Sequence, residues 1–192
     1  MQTKRTSKKA RPPTVSRPEL LAGDGSDRDF RRLVEGLLPF LGIHTAIRDG
    51  YASLLGLPGP QYTILLCIRN LEALGPVNVT TVANTLRTSG SFITAETNAL
   101  EKKGLVAKAR GDEDRRKVSI SLTPKGAELL DSIASLRRRV NDVQFGCLSR
   151  EEFQMLVPLV ERLVQSGERA LVLLDYLKAQ DADELSAALA QA

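Results

Sequence analysis

Residues 77–123, VNVTTVANTLRTSGSFITAETNALEKKGLVAKARGDEDRRKVSISLT, constrain the fold more than any other part of the chain. Val77-Asn78-Val79 reads as a short strand. Thr80 is placed to cap a helix over 80–86, with Val82, Ala83 and Leu86 facing inward. Residues 87–90 form a turn, and a second helix follows over 91–103 with Ile93, Thr97 and Leu100 as its inner face. Gly104 stands at the C′ position, where a positive φ closes the helix. Residues 105–109 and 117–122 then alternate as two strands around a polar, glycine-containing loop at 110–116. Strand, helix, turn, helix and charged hairpin is the order of a helix-turn-helix with a wing, a unit shaped to sit on duplex DNA.

The flanks carry long amphipathic helices. Phe30, Leu33, Val34, Leu37, Leu41, His44, Ile47, Tyr51 and Leu54 recur at three- and four-residue spacing. They predict a helix of about 28 residues capped by Asp27, with Pro39 as a kink or break. Leu57-Pro58-Gly59-Pro60 interrupts the pattern, and a further helix runs from Tyr62 to about Gly75-Pro76. Beyond the hairpin, Thr123-Pro124 opens a helix whose apolar positions continue to about Cys147. Ser149 and Glu152 form a capping box for a last helix, which carries Phe153, Leu156, Val157, Val160, Leu163 and Val164 and continues through Leu171, Leu174 and Leu177. Pro158 argues for a bend in it and Gly167 for a weak point. These outer helices are too long to be covered by the central unit, so a two-fold homodimer is the natural way to bury them.

The expected fold class is therefore mostly α with a small β-hairpin wing. It is a winged helix-turn-helix over 57–144, connecting helix included, with dimerisation helices at 27–56 and 145–180. Residues 1–26, rich in Lys, Arg, Pro, Gly and Ser, are expected to be a disordered basic arm. Residues 1–18 hold six positive charges and no acid, leaving 21 basic against 23 acidic residues in the remainder. The basic balance thus sits in the arm, and DNA binding by the folded part must rest on local charge.

Other function classes fare poorly. Trp is absent and aromatics are 4% of residues, which disfavours base stacking on single strands. No apolar run approaches the roughly 20 residues of a membrane span, and no secretory signal follows the N-terminus, so a cytoplasmic location is expected. One histidine and two separated cysteines, Cys67 and Cys147, cannot make a zinc site of ordinary spacing, and both cysteines are expected to be small buried hydrophobes. No phosphate loop or catalytic triad is visible, so neither an enzyme nor a cofactor is expected.

Three stretches carry a resemblance to the MarR family of transcriptional regulators. Thr81-Val82-Ala83-Asn84-Thr85-Leu86 resembles the first helix of the family's motif. Leu100-Glu101-Lys102-Lys103-Gly104-Leu105-Val106 matches the "LEKKGLV" ending of its recognition helix. Asp114-Arg115-Arg116, followed by Leu122-Thr123-Pro124-Lys125-Gly126, matches the wing signature DxR…LT-x-x-G. The resemblance implies a homodimer on a pseudo-palindromic operator, most often a repressor, released by a small aromatic acid. A nearby catabolic or efflux operon would be the target.

The expected DNA contacts are Thr88, Ser89, Ser91, Phe92, Thr94, Ala95 and Asn98 on the recognition helix and its turn. Arg110, Asp114, Arg115, Arg116 and Lys117 would serve on the wing, with Asp114 orienting Arg116. Ala95 stands where many relatives have a long polar residue, and Glu96 adds negative charge, so phosphates and shape should matter more than charged base contacts. The expected ligand set is His44, Arg48, Tyr51 and Tyr62 with Arg87 closing it, since an arginine can grip a carboxylate bidentately. Alternatives are a thiol-based redox sensor of the same fold, or a winged helix used for protein assembly.

Overall fold

The structure is a computed structural model that describes residues 11–110 and 118–190. Seven helices and one hairpin occur among them: α1 (Arg28–Leu54), α2 (Gly59–Glu72), α3 (Val79–Leu86), α4 (Gly90–Lys102), β1 (Val106–Arg110), β2 (Val118–Leu122), α5 (Pro124–Ser132), α6 (Ala134–Phe145) and α7 (Arg150–Ala190). They divide into two compact units, Met1–Ala134 and Ser135–Ala192.

In the first unit, α2 is the hub. Its Tyr62, Ile64, Leu65 and Ile68 are at most 1% exposed, and α1, α3, α4, α5 and β2 all pack on it. Ile93, Thr97 and Leu100 of α4 are fully buried, the inner face that the spacing requires. Thr97 tolerates this because its hydroxyl donates to the Ile93 carbonyl at 2.7 Å. The hairpin is antiparallel, pairing Val106 with Leu122 and Arg110 with Val118. The expected strand at 77–79 is only a stub: Asn78 bridges Ser119, and the Ile120 amide donates to the Val77 carbonyl at 2.8 Å. Val79 already belongs to α3, and the cap is Asn78 rather than Thr80. Asn78 and Thr81 each bond the other's backbone N–H at 2.9 Å, a full capping box.

Where the wing returns to α5, three short contacts lock the chain. Thr123 caps α5 by accepting from the Gly126 amide at 3.0 Å, and its hydroxyl donates to the Gly104 carbonyl at 2.7 Å. Its amide donates to the Leu105 carbonyl. Gly104 has φ +69°, the left-handed value expected after α4.

Several expectations are corrected. Pro39 does not break α1, which is continuous across it, so the apolar helix-forming residues on both sides outweigh the one lost N–H bond. The helix expected to run from 124 to 147 is two helices, interrupted at the buried Ile133, whose ψ of 8° leaves the helical region. Asp27 occupies the N-cap position of α1 but makes no side-chain cap. Its carboxylate instead accepts from the Thr14 amide and hydroxyl at 2.7 Å and from Arg31 at 2.9 Å. Arg31 also donates to the Pro12 carbonyl. Residues 11–26, expected to be disordered, are therefore fastened to the start of α1, with a short 3-10 turn at Pro18–Leu20. Residues 1–10 lie outside the described part.

In the second unit, α7 runs unbroken through Pro158 and Gly167. Its Ser149–Glu152 capping box is formed as expected. Phe153, Leu156, Val157, Val160, Leu163, Val164, Leu171, Leu174 and Leu177 are all exposed along this helix. Cys67 is buried as expected, whereas Cys147 is exposed in the turn before α7. No helix among the described residues is long and apolar enough to cross a membrane.

Candidate nucleic-acid interface

The outer face of α4 follows from its buried one. With Ile93, Thr97 and Leu100 turned inward, the opposite stripe at 100° per residue is Ser91, Thr94, Ala95, Asn98 and Lys102. All five are exposed. Ser89 is the N-cap, accepting from the Phe92 amide at 3.2 Å, so its oxygen is first a structural group and second a candidate contact. Its hydroxyl also lies 3.1 Å from that of Ser91. Thr88 is half-buried behind it, and its amide donates to the Ala83 carbonyl. Phe92 lies on the flank of the stripe, 40% exposed. Thr94 donates its hydroxyl back to the Gly90 carbonyl at 2.8 Å, which leaves the oxygen as an acceptor.

Two polar residues of α4 are handled by partners. The Glu96 carboxylate accepts from Gln61 Nε2 at 2.9 Å, and Gln61 Oε1 accepts from Lys103 Nζ at 2.8 Å. The charge of Glu96 is thus turned toward α2 rather than left against the groove face. Asn98 Oδ1 accepts from Lys108 Nζ on β1, tying the recognition helix to the wing. Neither Lys102 nor Lys108 was among the expected contacts. Lys102 could have been found by extending the stripe one turn beyond Asn98, whereas the Lys108 pairing needs the fold.

On the wing, Arg110 is the last residue of β1, paired with Val118. Asp114, Arg115, Arg116 and Lys117, the other expected wing contacts, lie outside the described residues.

The expected ligand set separates. Arg48 lines an open groove of about 310 Å³ with Thr63, Leu66, Cys67, Asn70, Leu71, Leu74, Thr85 and Leu86, between α1, α2 and α3. Its guanidinium sits 5.8 Å from the centroid of the Tyr62 ring, which meets Tyr51 edge-on at 6.1 Å. Tyr51 and Tyr62 are 5% and 1% exposed, core rather than lining. His44 lies a turn earlier, stacked on Phe40 at 6.2 Å. Arg87 is exposed and ends α3 with φ 53°, a left-handed C-cap held by a non-glycine residue. Cys67, on the groove wall, has its thiol pushed up by burial, a shift that Arg48 and a bond with Thr85 only partly oppose.

Known proteins resemble the chain in this same region. The sequence model of the MarR family matches residues 57–118. The HTH-type transcriptional regulator YpoP of Bacillus subtilis is 34% identical over 103 residues, covering 54% of this chain and 71% of that protein. The chain belongs to the MarR family. It is a transcriptional regulator of the winged helix-turn-helix class. The HTH-type transcriptional repressor NicR of Pseudomonas putida is 28% identical over 127 residues, covering 66% of this chain and 78% of its own length. Among solved structures, a mutant MarR from Escherichia coli complexed with operator DNA aligns with a TM-score of 0.58 at 19% identity. That alignment covers 70% of this MarR-family chain and 95% of the other, and it concerns the fold alone.

Proposed function

We propose that two copies of this chain repress a nearby catabolic or efflux operon by binding a pseudo-palindromic operator, and that a small aromatic carboxylate releases them. The observation that carries the DNA part is the exposed stripe Ser91, Thr94, Ala95, Asn98 and Lys102, none of them acidic, with Gln61 holding the neighbouring Glu96. Such a face suits the major groove, and Arg110, Asp114, Arg115, Arg116 and Lys117 are the wing residues proposed to contact the flanking backbone. Phosphate contacts of this kind supply affinity and register, while the short side chains of α4 touch base edges. The homodimer rests on the exposed apolar stripes of α1 and α7, with 27–56 and 145–180 as the dimerisation segments and 57–144 as the DNA-binding unit. Two relatives are named repressors, NicR and the Bacillus subtilis MdtR, which favours repression.

The effector proposal narrows to one anchor. Arg48 is the expected ligand residue that lines the groove, while Tyr51 and Tyr62 support it from the core and His44 and Arg87 stand apart from its lining. A groove of this size admits one aromatic ring, with Leu66, Leu71, Leu74 and Leu86 as apolar walls and Arg48 to pair its carboxylate. Because Thr85 and Leu86 end the helix leading into the recognition turn, a ligand there would shift α4 relative to α2. A structure of Bordetella bronchiseptica BpsR, whose DNA binding is regulated by 6-hydroxynicotinic acid, shares this fold at 22% identity and a TM-score of 0.56. Titration calorimetry with benzoate, salicylate and hydroxynicotinate tests the anchor. Binding by the natural chain, lost at least tenfold in Arg48→Ala, supports it; equal binding by both forms contradicts it.

Redox sensing fits less well. The Cys67 thiol is held protonated by burial, and the thiolate is the reactive form. Peroxide is expected to leave operator binding unchanged.

A further inference from the structure

The contact between Lys108 and Asn98 bears on which base the recognition helix can accept. Asn98 lies on the exposed stripe of α4, two turns beyond Ser91, and Lys108 reaches it from β1 across a recess lined also by Val79, Thr94, Glu101 and Val118. A lysine ammonium has three donors and no acceptor, so the amide must turn its oxygen toward Lys108 and leave its NH₂ outward. A free asparagine reads adenine bidentately: its oxygen accepts from N6 while its nitrogen donates to N7. Here the ammonium takes one of the two lone pairs of the oxygen and stands beside it as a second donor with a full positive charge. An adenine N6 amino group brought to this pair would meet a cation and a donor. The O6 and N7 of guanine would meet two donors, one of them charged.

We propose that Lys108, a wing-strand residue, sets the base preference of Asn98, converting it from an adenine reader into half of a donor pair that selects guanine. The proposal rests on the placement of α4 in the major groove.

The test is selection from a pool of duplexes randomised across each half-site, followed by competition binding with single-base variants. The natural chain is expected to enrich guanine at one base pair per half-site that Asn98→Ala leaves unspecified. Lys108→Met should shift that position to adenine and change the guanine-to-adenine ratio by about tenfold or more, while other positions keep their preferences. Lys108→Arg, which keeps a charged donor, should retain guanine. Thermal melts of the variants establish that each is folded, and Lys108→Arg carries the comparison should Lys108→Met melt early. Adenine at the Asn98-dependent position in the natural chain would overturn the proposal. So would an unchanged preference in a folded Lys108→Met, loss of guanine in Lys108→Arg, or an Asn98→Ala variant that selects as the natural chain does. If the natural chain enriches no sequence at all, the placement of α4 in the major groove falls as well, which separates that failure from the others.

Discussion

A β-carbon built on Gly126 would collide with the carbonyl oxygen of Leu105 and lie 3.1 Å from its carbon, both rigid backbone atoms. The glycine of the LT-x-x-G signature is therefore required by close approach, because the first turn of α5 rests on the end of the recognition-helix loop. Gly126→Ala should cost about 1–3 kcal/mol or more, as overpacking does, although alanine is the better helix former. A melting temperature at or above that of the natural chain would contradict this. Thr123 was legible in the sequence because a cap and its helix are neighbours along the chain, whereas Gly126 entered only through the signature and its contact with Leu105 needs the fold. Asp27 was not legible, because its partner Thr14 is 13 residues away and local rules assign it to the cap. Its bonds with Arg31 and Thr14 hold the carboxyl well below the usual carboxylate range. A depressed carboxyl contributes its stability above its unfolded pKa of about 3.9 and loses it as pH falls through the lower folded value. The amide proton of Thr14, followed by NMR from neutral pH downward, should hold its shift to about pH 4 and move only below. A midpoint at or above about 3.9 would show that the clasp does not form.

Among elements, α4 is defined twice over: by its buried triad, which the sequence shows, and by its cross-links, which it does not. Ile93, Thr97 and Leu100 fall at helical spacing and can be read directly. Gln61 is 35 residues from Glu96, and the fold alone brings them together. This link also revises the role of Glu96, which the sequence suggested would place negative charge near the groove. Gln61→Leu should free the carboxylate to swing toward phosphate and weaken operator affinity about three- to tenfold, with Gln61→Leu/Glu96→Gln restoring most of it. An unaffected single variant in competition binding would show that Gln61 serves packing alone. The helix boundaries divide the same way. Periodicity placed α1, α2, α4, the hairpin and α7 well, but it ran through the break at Ile133. A periodic pattern continues through a break whose residue is buried, and at Pro39, where kink and break were both open, the helix is not broken.

At the scale of the whole molecule, the long helices matter more than the net charge. The formal charge of +4 comes from the first residues of the chain, so affinity for DNA should depend on the wing and α4 rather than on a general basic surface. Two winged units held by their outer helices would meet one duplex at a spacing fixed by that assembly, which no single chain can set. The sequence signalled this through apolar faces longer than one unit can cover, and α1 and α7 carry those faces exposed in the isolated chain. The most direct measurement is hydroxyl-radical footprinting on the intergenic DNA beside the protein's own coding region, with mass photometry of the same mixture. The expected result is two protected half-sites about 10 base pairs apart on one face of the helix, occupied by two chains and resistant to excess nonspecific DNA. Uniform weak protection that nonspecific DNA removes, or a single chain on a single half-site, would contradict the dimeric operator complex.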